Sequence, residues 1–269
     1  MNNPYRKIRQ SARYYYYKQK NCWSFPKNIA HLSGGKMAQG SYEPAVSATI
    51  TDYLQKGDSF IDIGANVGYF SRLAANEVGD EGIVYAFEIE FDNYCALTQN
   101  IKDYSNIHGF HLAISDDNSF VNVNYSSHSA CHSIVDTDNF LQDTQFTVPS
   151  MTLDHFWKTY LQKNPIDLLK IDVEGAEPLV FKGMVELLDN GMVKAMIIEF
   201  CPAILQNAGF KITDIYRTIA SDYSITVIDK KYAGITENGF IDSLNDFNKL
   251  TNRLLNENGV ININLFCSG

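Results

Sequence analysis

A short apolar strand followed by a glycine turn, Phe60-Ile-Asp-Ile-Gly-Ala-Asn-Val-Gly68, constrains the fold of this chain more than any other segment. Gly64 lets the backbone turn sharply after the strand, and Gly68 lets the following helix approach the strand closely. Backbone N–H groups at the start of a helix lack intrahelical partners and are electropositive, so they hold a carboxylate or a phosphate. The segment therefore predicts the first β-α unit of an α/β sheet, with a ligand site at its carboxyl end.

The residue between the two glycines indicates the size of that ligand. Asn66 stands where a dinucleotide-binding loop has its second glycine. Asparagine tolerates a left-handed backbone but leaves less room for a pyrophosphate than glycine does. Asp62, at the end of the strand, can accept a hydrogen bond from a ligand ammonium. The pattern favours a small zwitterionic ligand, and an NAD-dependent oxidoreductase is the alternative enzyme.

Downstream of this loop, apolar runs alternate with helical patterns, which is typical of β-α-β units on a mostly parallel sheet. The predicted strands are Ser59–Ile63, Ile83–Phe87, His108–Ile114, Ile166–Ile171, Val193–Glu199, Ser224–Ile228 and an antiparallel Val260–Phe266. The predicted helices are Tyr69–Glu77, Asp92–Asp103, Leu153–Gln162, Pro178–Asn190 and Ala203–Ala220. Val121–Tyr125 and Phe146–Val148 alternate polar and apolar residues and predict a small antiparallel insertion. We interpret residues 42–269 as one α/β domain that follows an extension, residues 1–41.

A second motif narrows the ligand. The second predicted strand ends in Glu88, 20 residues after Gly68. A carboxylate at this position can accept hydrogen bonds from both hydroxyls of a ribose. An adenosine ligand with an amino-acid tail and without a pyrophosphate is S-adenosylmethionine, which we therefore predict as the cofactor.

A third motif, Asp167-Leu-Leu-Lys-Ile-Asp-Val-Glu-Gly-Ala-Glu177, ends a buried strand in several acids. Ligands of open α/β sheets bind beyond the carboxyl ends of the strands, so Asp172 and Glu174 are predicted to face the site. Glu177 is expected to begin the next helix and point to solvent. Glu199 ends the neighbouring strand, and these acids could act as a general base, bind substrate hydroxyls or hold a hard cation. We favour the two roles that need no metal ion, general base and binding of substrate hydroxyls.

Two histidines are weaker candidates for the catalytic base. His132 lies in the Ser129–Ser133 segment, and His31 precedes the Ser33-Gly-Gly35 segment of the extension. Asp172 and Glu174 are the first choices because of their position at the end of a strand, and His132 is the reserve.

Charge divides the chain into two unlike parts. Before Glu43 there are eight basic residues and no acid, whereas the rest has 14 basic and 31 acidic residues, a net charge of −17. The acidic body disfavours nucleic acid as a partner. The basic extension, with Tyr14–Tyr17 inside it, could contact an anionic membrane, RNA or an acidic partner, or be merely solvated. Five scattered cysteines and no apolar leader predict a cytoplasmic protein, and the oligomeric state is left undefined.

Taken together, these residues resemble the FkbM family of S-adenosylmethionine-dependent methyltransferases. The matching segments are Gly40–Pro44 (GSYEP), Phe60–Ser71 (FIDIGANVGYFS), Val84–Glu90 (VYAFEIE), His111–Ser115 (HLAIS), Thr152–Asp154 (TLD), Leu168–Glu177 (LLKIDVEGAE) and Ile197–Phe200 (IIEF). The resemblance covers roughly residues 40 to 200 and implies a class I methyltransferase, Rossmann-like fold with a seven-stranded sheet and helices on both faces. The sequence departs from the family's pattern at Ile89, where members commonly have proline.

The resemblance also implies roles for individual residues. Asp62, Gly64, Asn66 and Gly68 would line the methionine part of the cofactor, with Glu43 beside it. Glu88 would bind the ribose, and Ala113 and Ser115 would lie near the adenine.

The family further implies O-methylation of a hydroxylated small molecule, a sugar or a glycan. Asp172-Val-Glu-Gly175 stands where N-methyltransferases for flat amides or bases have an N-P-P-Y-type tetrapeptide, which disfavours adenine or glutamine as the acceptor. The non-enzymatic alternative is a degenerate domain that docks through its basic extension. The retained Asp62, Glu88 and Asp172 speak against that alternative.

Overall fold

The computed structural model describes residues 23–26, 31–124, 145–228, 239–256 and 262–269. The strands are β1 Ser59–Ile63, β2 Ile83–Glu88, β3 Ile107–His111, β4 Ala113–Ile114, β5 Phe120–Asn124, β6 Gln145–Met151, β7 Ile166–Ile171, β8 Val193–Phe200, β9 Ser224–Val227 and β10 Ile263–Ser268. The helices are α1 His31–Ala38, α2 Pro44–Tyr53, α3 Tyr69–Val78, α4 Phe91–Ile101, α5 Leu153–Thr159, α6 Glu177–Lys182, α7 Val185–Asp189, α8 Pro202–Asn207, α9 Ile212–Ile219 and α10 Leu244–Asn256.

Seven strands form the main sheet in the order β3-β2-β1-β7-β8-β10-β9. The first five are parallel to one another, and β10 runs antiparallel to both β8 and β9, as predicted for the last strand. The chain leaves β1 towards one edge and returns through β7 towards the other, so the strand order reverses between β1 and β7. Ligands of doubly wound sheets bind at the carboxyl ends of the strands beside such a reversal.

Both faces of the sheet are covered. All five residues of β1 are buried, which is typical of a strand in a parallel sheet with two covered faces. Alternate residues of the strand contribute to different cores: Phe60 packs with α2, α3 and α4, whereas Ile61 and Ile63 pack in the core on the other side. The predicted fold class, a mostly parallel seven-stranded sheet with helices on both faces, is confirmed.

Two predicted helices are each interrupted by a glycine. The predicted helix Pro178–Asn190 is two helices, α6 and α7, separated at Gly183, where an added Cβ would lie 2.0 Å from the carbonyl oxygen of Ser115. The predicted helix Ala203–Ala220 is likewise divided into α8 and α9, with Gly209 in the left-handed region at φ +79°. Close backbone packing in the first case and a sharp turn in the second require glycine.

The predicted insertion forms a small sheet of its own. Strands β5 and β6 pair antiparallel, and β6 pairs parallel with the short strand β4. The predicted strand His108–Ile114 is therefore two strands, because β3 ends at His111 in the main sheet and β4 belongs to the small one.

Helices α1, α2 and α10 were not predicted. Two residues that precede α1, Trp23 and Phe25, are buried in the same apolar cluster as Tyr69 of α3, and so are Met37 and Ala38 of α1. Within the described ranges, the structure contains no helix that is both long enough and apolar enough to cross a membrane.

Candidate functional site

A cavity opens at the carboxyl ends of β1, β2, β7 and β8, where the strand order reverses. Its lining combines the glycine turn, the ends of the strands and the start of α2. The lining residues are Met37, Tyr42, Glu43, Ile63, Gly64, Ala65, Asn66, Tyr69, Phe70, Phe87, Glu88, Ile89, Asn93, Leu112, Ala113, Ile114, Lys170, Asp172, Val173, Glu174, Ala176 and Glu199. All three sequence motifs therefore contribute to one cavity.

The glycine turn is held by its own backbone. Gly64 has φ +82°, and an added Cβ would lie 1.8 Å from the carbonyl oxygen of Asp172, so a larger residue would force the two strand ends apart. The N–H groups of Gly64 and Ala65 donate to the carbonyl of Phe87 at 3.0 and 2.8 Å. The N–H groups of residues 66, 67 and 68 also have acceptors within the protein. Residues 64–68 therefore shape the cavity without offering open N–H groups. The expectation of unpaired N–H groups concerns the start of α3, which follows at Tyr69, and stays a prediction.

Glu88 is buried at the end of β2, with 5% of its surface exposed. One carboxylate oxygen accepts from the N–H of Asn66 at 2.7 Å, and the other accepts from the N–H of Glu90 at 2.8 Å. Loss of solvation on burial raises the pKa of Glu88 to about 7, although these two hydrogen bonds oppose the shift. A hydrogen bond with the side chain of Asn93 also lowers the pKa of Glu88. The two oxygens of a carboxylate offer about four acceptor sites, so these three bonds do not use them all. The side chain is thus rigidly oriented and can still accept hydrogen bonds from a ligand.

Asp62 lies behind the turn and is fully buried, rather than on the cavity wall. Its Oδ2 accepts from the hydroxyl of Ser71 at 2.6 Å, and its Oδ1 lies 3.7 Å from the ammonium of Lys170. Burial raises the pKa of Asp62, and the nearby Lys170 opposes this shift. Asp62 is therefore connected to the cavity through Lys170, which contacts both Asp62 and Asp172.

Lys170 is a site residue that the sequence reasoning missed. Its side chain is buried, with 1% of the residue exposed, and its ammonium lies 2.8 Å from Oδ2 of Asp172. It also lies 5.1 Å from the centre of the Phe70 ring. A lysine inside the apolar strand Ile166–Ile171 was the available signal, because a fully buried lysine nearly always has an anionic partner.

Asp172, Glu174 and Glu199 meet at one side of the cavity, as predicted from their positions at the ends of strands. One carboxylate oxygen from each lies within 4.8 Å of the others. The pKa of Glu199 is raised well above its ordinary value, first by burial and then by the charges of Asp172 and Glu174. Asn262 donates from Nδ2 to Oε1 of Glu199 at 2.9 Å and opposes this shift.

Strained backbone concentrates around the cavity. Of the five described non-glycine residues with positive φ, Glu43, Asn66 and Glu174 line it, at φ values of 37°, 50° and 51°. Such conformations cost free energy and cluster at ligand sites. Tyr42, next to Glu43, is also in the lining, and its pKa is raised by burial and then by the charge of Glu43.

The remaining predicted residues are distributed unevenly. Ala113 lines the cavity, whereas Gly68 packs against Leu97 of α4, and Ser115 is buried and donates its hydroxyl to Asp116. His132 lies outside the described residues, as do the side-chain contacts of His31.

Glu177 does not point to solvent as expected. It is buried, and its carboxylate accepts from the N–H of Gly175 at 3.1 Å and that of Val173 at 3.4 Å. The loop after β7 turns back on itself, which leaves these N–H groups without helical partners and places Glu177 where it can satisfy them.

Comparison with known structures gives several distant likenesses. An FkbM methyltransferase from Methylobacillus flagellatus is 11% identical, with a TM-score of 0.42, over 82% of this chain and 55% of that one. An O-methyltransferase from Bacillus cereus, solved in complex with SAH, is 12% identical, with a TM-score of 0.47, over 96% and 91% of the two chains. An rRNA methylase from Streptococcus thermophilus is 10% identical, with a TM-score of 0.45, over 83% and 93%.

Comparison with curated protein sequences gives no match. The sequence profile of the methyltransferase FkbM domain, in contrast, matches residues 62–228, which is more than half of the chain. This match includes the glycine turn, Glu88 and the three acids that meet in the cavity. The chain therefore belongs to the FkbM family of S-adenosylmethionine-dependent methyltransferases.

Proposed function

We propose that this protein transfers the methyl group of S-adenosylmethionine to a hydroxyl oxygen of a small molecule, a sugar or a glycan. The observation that carries the proposal is the composition of one cavity. The glycine turn and Glu88 lie on one side of it, and Asp172, Glu174 and Glu199 lie together on another. The first set suits an adenosyl ligand, and the second suits a group that donates hydrogen bonds.

The residues present fit this cofactor. Glu88 has a fixed carboxylate that keeps an acceptor site for the ribose, and the close approach at Gly64 keeps the turn free of side chains. We assign the methionine part to Gly64, Asn66 and Glu43, with Asp62 and Gly68 supporting the turn from behind. The adenine is assigned to the apolar wall that includes Ala113, with Ser115 beneath it.

The cofactor supplies a methyl group on a positively charged sulfur. The protein must then orient the acceptor oxygen, exclude water and accept the hydroxyl proton. Tyr42, Tyr69 and Phe70 give the cavity an aromatic wall that reduces contact with water. Asp172 and Glu174 are assigned to the acceptor, because both lie in the loop after β7 and both face the cavity.

The acids also favour a particular kind of acceptor. An ionised carboxylate only accepts hydrogen bonds, so a cluster of three is matched by a molecule that carries several hydroxyl donors. Among the described residues that line the cavity, Lys170 is the one basic residue, and Asp172 already binds it. Phosphorylated or carboxylated acceptors would therefore meet an unfavourable potential.

A transfer assay with isotopically labelled methyl donor tests the proposal. Purified protein is incubated with panels of polyols, glycosides, phenols, amines and RNA, each in EDTA and in magnesium. We expect label on a hydroxylated acceptor, in equal amounts with EDTA and with magnesium. Label on amines or RNA alone would contradict O-methylation, and a requirement for magnesium would contradict the metal-free version. Failure to bind the donor in calorimetry would instead favour the non-enzymatic alternative, a degenerate domain that docks through its basic extension.

A further inference from the structure

The three acids in the cavity differ in their partners. Asp172 is bound by the ammonium of Lys170 at 2.8 Å, which neutralises much of its charge and occupies one of its oxygens. Glu199 has no basic partner among the residues that the structure describes. It accepts a neutral hydrogen bond from Asn262, and it shares a side-chain hydrogen bond with Asp172 that also favours its protonated form. Glu199 is thus the better placed of the two to bind a proton.

The acidic side chains around Glu199, Asp172 and Glu174 above all, make a further negative charge there unfavourable. Asp172 and Glu174 face it from the loop after β7, and Tyr42 interacts with it from the segment before α2, where Glu43 also lies. Lys170 is nearby but is shared between Asp172 and Asp62. Carboxylates this close together do not all ionise at neutral pH, and one of them keeps a proton.

We propose that Glu199 accepts the proton of the acceptor hydroxyl and that it becomes ionised only when the positively charged methyl donor enters the cavity. This role rests on the proposed function. Burial and the neighbouring carboxylates raise the pKa of Glu199, which favours its protonated form in the free protein.

The charges and atoms balance through the reaction. When the donor binds, Glu199 releases its proton to solvent, so the cavity gains one positive and one negative charge. In the transfer, a lone pair of the acceptor oxygen forms a bond to the methyl carbon, and the carbon–sulfur bonding pair stays on sulfur. The hydroxyl proton moves to Glu199. The positive and the negative charge disappear together, and the carboxyl group returns to its protonated state.

Proton release on binding tests this role without an acceptor. Calorimetric titrations of S-adenosylmethionine and S-adenosylhomocysteine are run at pH 6.5 in two buffers that differ in ionisation enthalpy, which gives the number of protons released by each ligand. At this pH the amino groups of both ligands are protonated. Both ligands contact Glu88 and the glycine turn alike, so these contributions cancel in the difference between them.

We expect the charged donor to release roughly half to one proton more than the neutral product. Glu199→Gln should abolish that difference, because Asn262 can still donate to the amide oxygen while the titrating group is gone. The variant should also lower kcat by about 100-fold or more once an acceptor is known. Glu174→Gln should keep the difference but move it to lower pH, since it removes one neighbouring charge.

Equal proton counts for the two ligands in the wild-type protein would overturn the proposal, even if Glu199→Gln does not fold. A difference that persists in a folded Glu199→Gln variant would assign the proton to another residue. Absence of binding heat for both ligands would instead reject the donor site on which this role depends.

Discussion

Asp62 and Lys170 face each other across neighbouring parallel strands, since the register of β1 and β7 pairs these two residues directly. Both are buried, and the carboxylate and ammonium lie 3.7 Å apart. Lys170 extends from this pair to Asp172 in the cavity. The ammonium therefore joins the buried support of the glycine turn to the acids that we assign to the acceptor.

The first prediction concerns the stability of this arrangement. Lys170→Met keeps the length of the side chain and removes its charge, which leaves Asp62 buried without a cation. Breaking a buried ion pair on one side costs about 3–5 kcal/mol. We expect a loss of that order in the free energy of unfolding, measured by urea denaturation.

A double variant separates the lost charge from lost packing. Lys170→Met combined with Asp62→Asn removes both members of the pair and should recover a substantial part of the stability. If the double variant is as unstable as the sum of the two single variants, the two side chains are not coupled.

The second prediction concerns the ribose contact. Glu88→Ala should weaken the binding of S-adenosylmethionine by about 1.5–3 kcal/mol, which is the usual cost of deleting a charged hydrogen-bond acceptor. Calorimetry measures the change, and Glu81→Ala, at an exposed acid in the turn before β2, is the matched control. Unchanged affinity in folded Glu88→Ala would remove Glu88 from this role.

The third prediction concerns Asp172. Asp172→Asn should lower kcat by about 100-fold or more, because Lys170 then loses the nearer of its two anionic partners and the acceptor loses a carboxylate. The dissociation constant of S-adenosylmethionine should stay within a few-fold, since this side chain is assigned to the acceptor. Exposed Asp103→Asn serves as the control. A large loss of donor affinity with normal kcat would place Asp172 on the cofactor instead.

Much of the fold could be predicted from local sequence patterns. Strands β1 and β7 begin and end at the predicted residues, because each is a mainly apolar run bounded by a polar residue, glycine or proline. The division at Gly183 could not be predicted, because it depends on contact with Ser115 from a distant part of the chain.

The site was predicted less completely than the fold. The convergence of Asp172, Glu174 and Glu199 followed from the rule that parallel strands end at one edge. The burial of Asp62 and Glu177 did not, because hydrogen bonds to Ser71 in one case and to loop N–H groups in the other form only in the folded chain. The sequence alone does not distinguish an acid at a strand end that supports a loop from one that faces a ligand.

The fourth prediction concerns pH and stability. Burial raises the pKa of Glu177 to about 7, above the ordinary value of 4.5. Between these two pH values the folded protein binds more protons than the unfolded chain, so this residue lowers the free energy of unfolding as the pH rises. Glu177→Gln should therefore become more stable relative to the wild type from pH 5 to pH 8. Urea denaturation across this range measures the difference, and exposed Asp189→Asn should show no such trend.

The fifth prediction concerns the extension. Two contacts connect residues 23–26 to the domain, one to the glycine turn and one to the start of α3. Asn100 bridges the main chain of Ser24 and the carbonyl of Val67, to which it donates at 2.7 Å.

A second tie is aromatic. Trp23 stacks on Tyr69 of the cavity wall, with ring centres 6.1 Å apart.

Two truncations distinguish a contribution to the site from a contribution to anchoring. Removal of residues 1–22 deletes six of the eight basic residues but keeps the contacts of Trp23 and Ser24. Removal of residues 1–30 deletes these two contacts as well. We expect the shorter truncation to keep donor affinity and turnover, and the longer one to weaken both, because the turn loses its support. Binding to anionic vesicles, at about 1 kcal/mol per basic residue near the surface, should be lost in both. Normal turnover of a soluble acceptor after removal of residues 1–30 would assign the extension to anchoring alone.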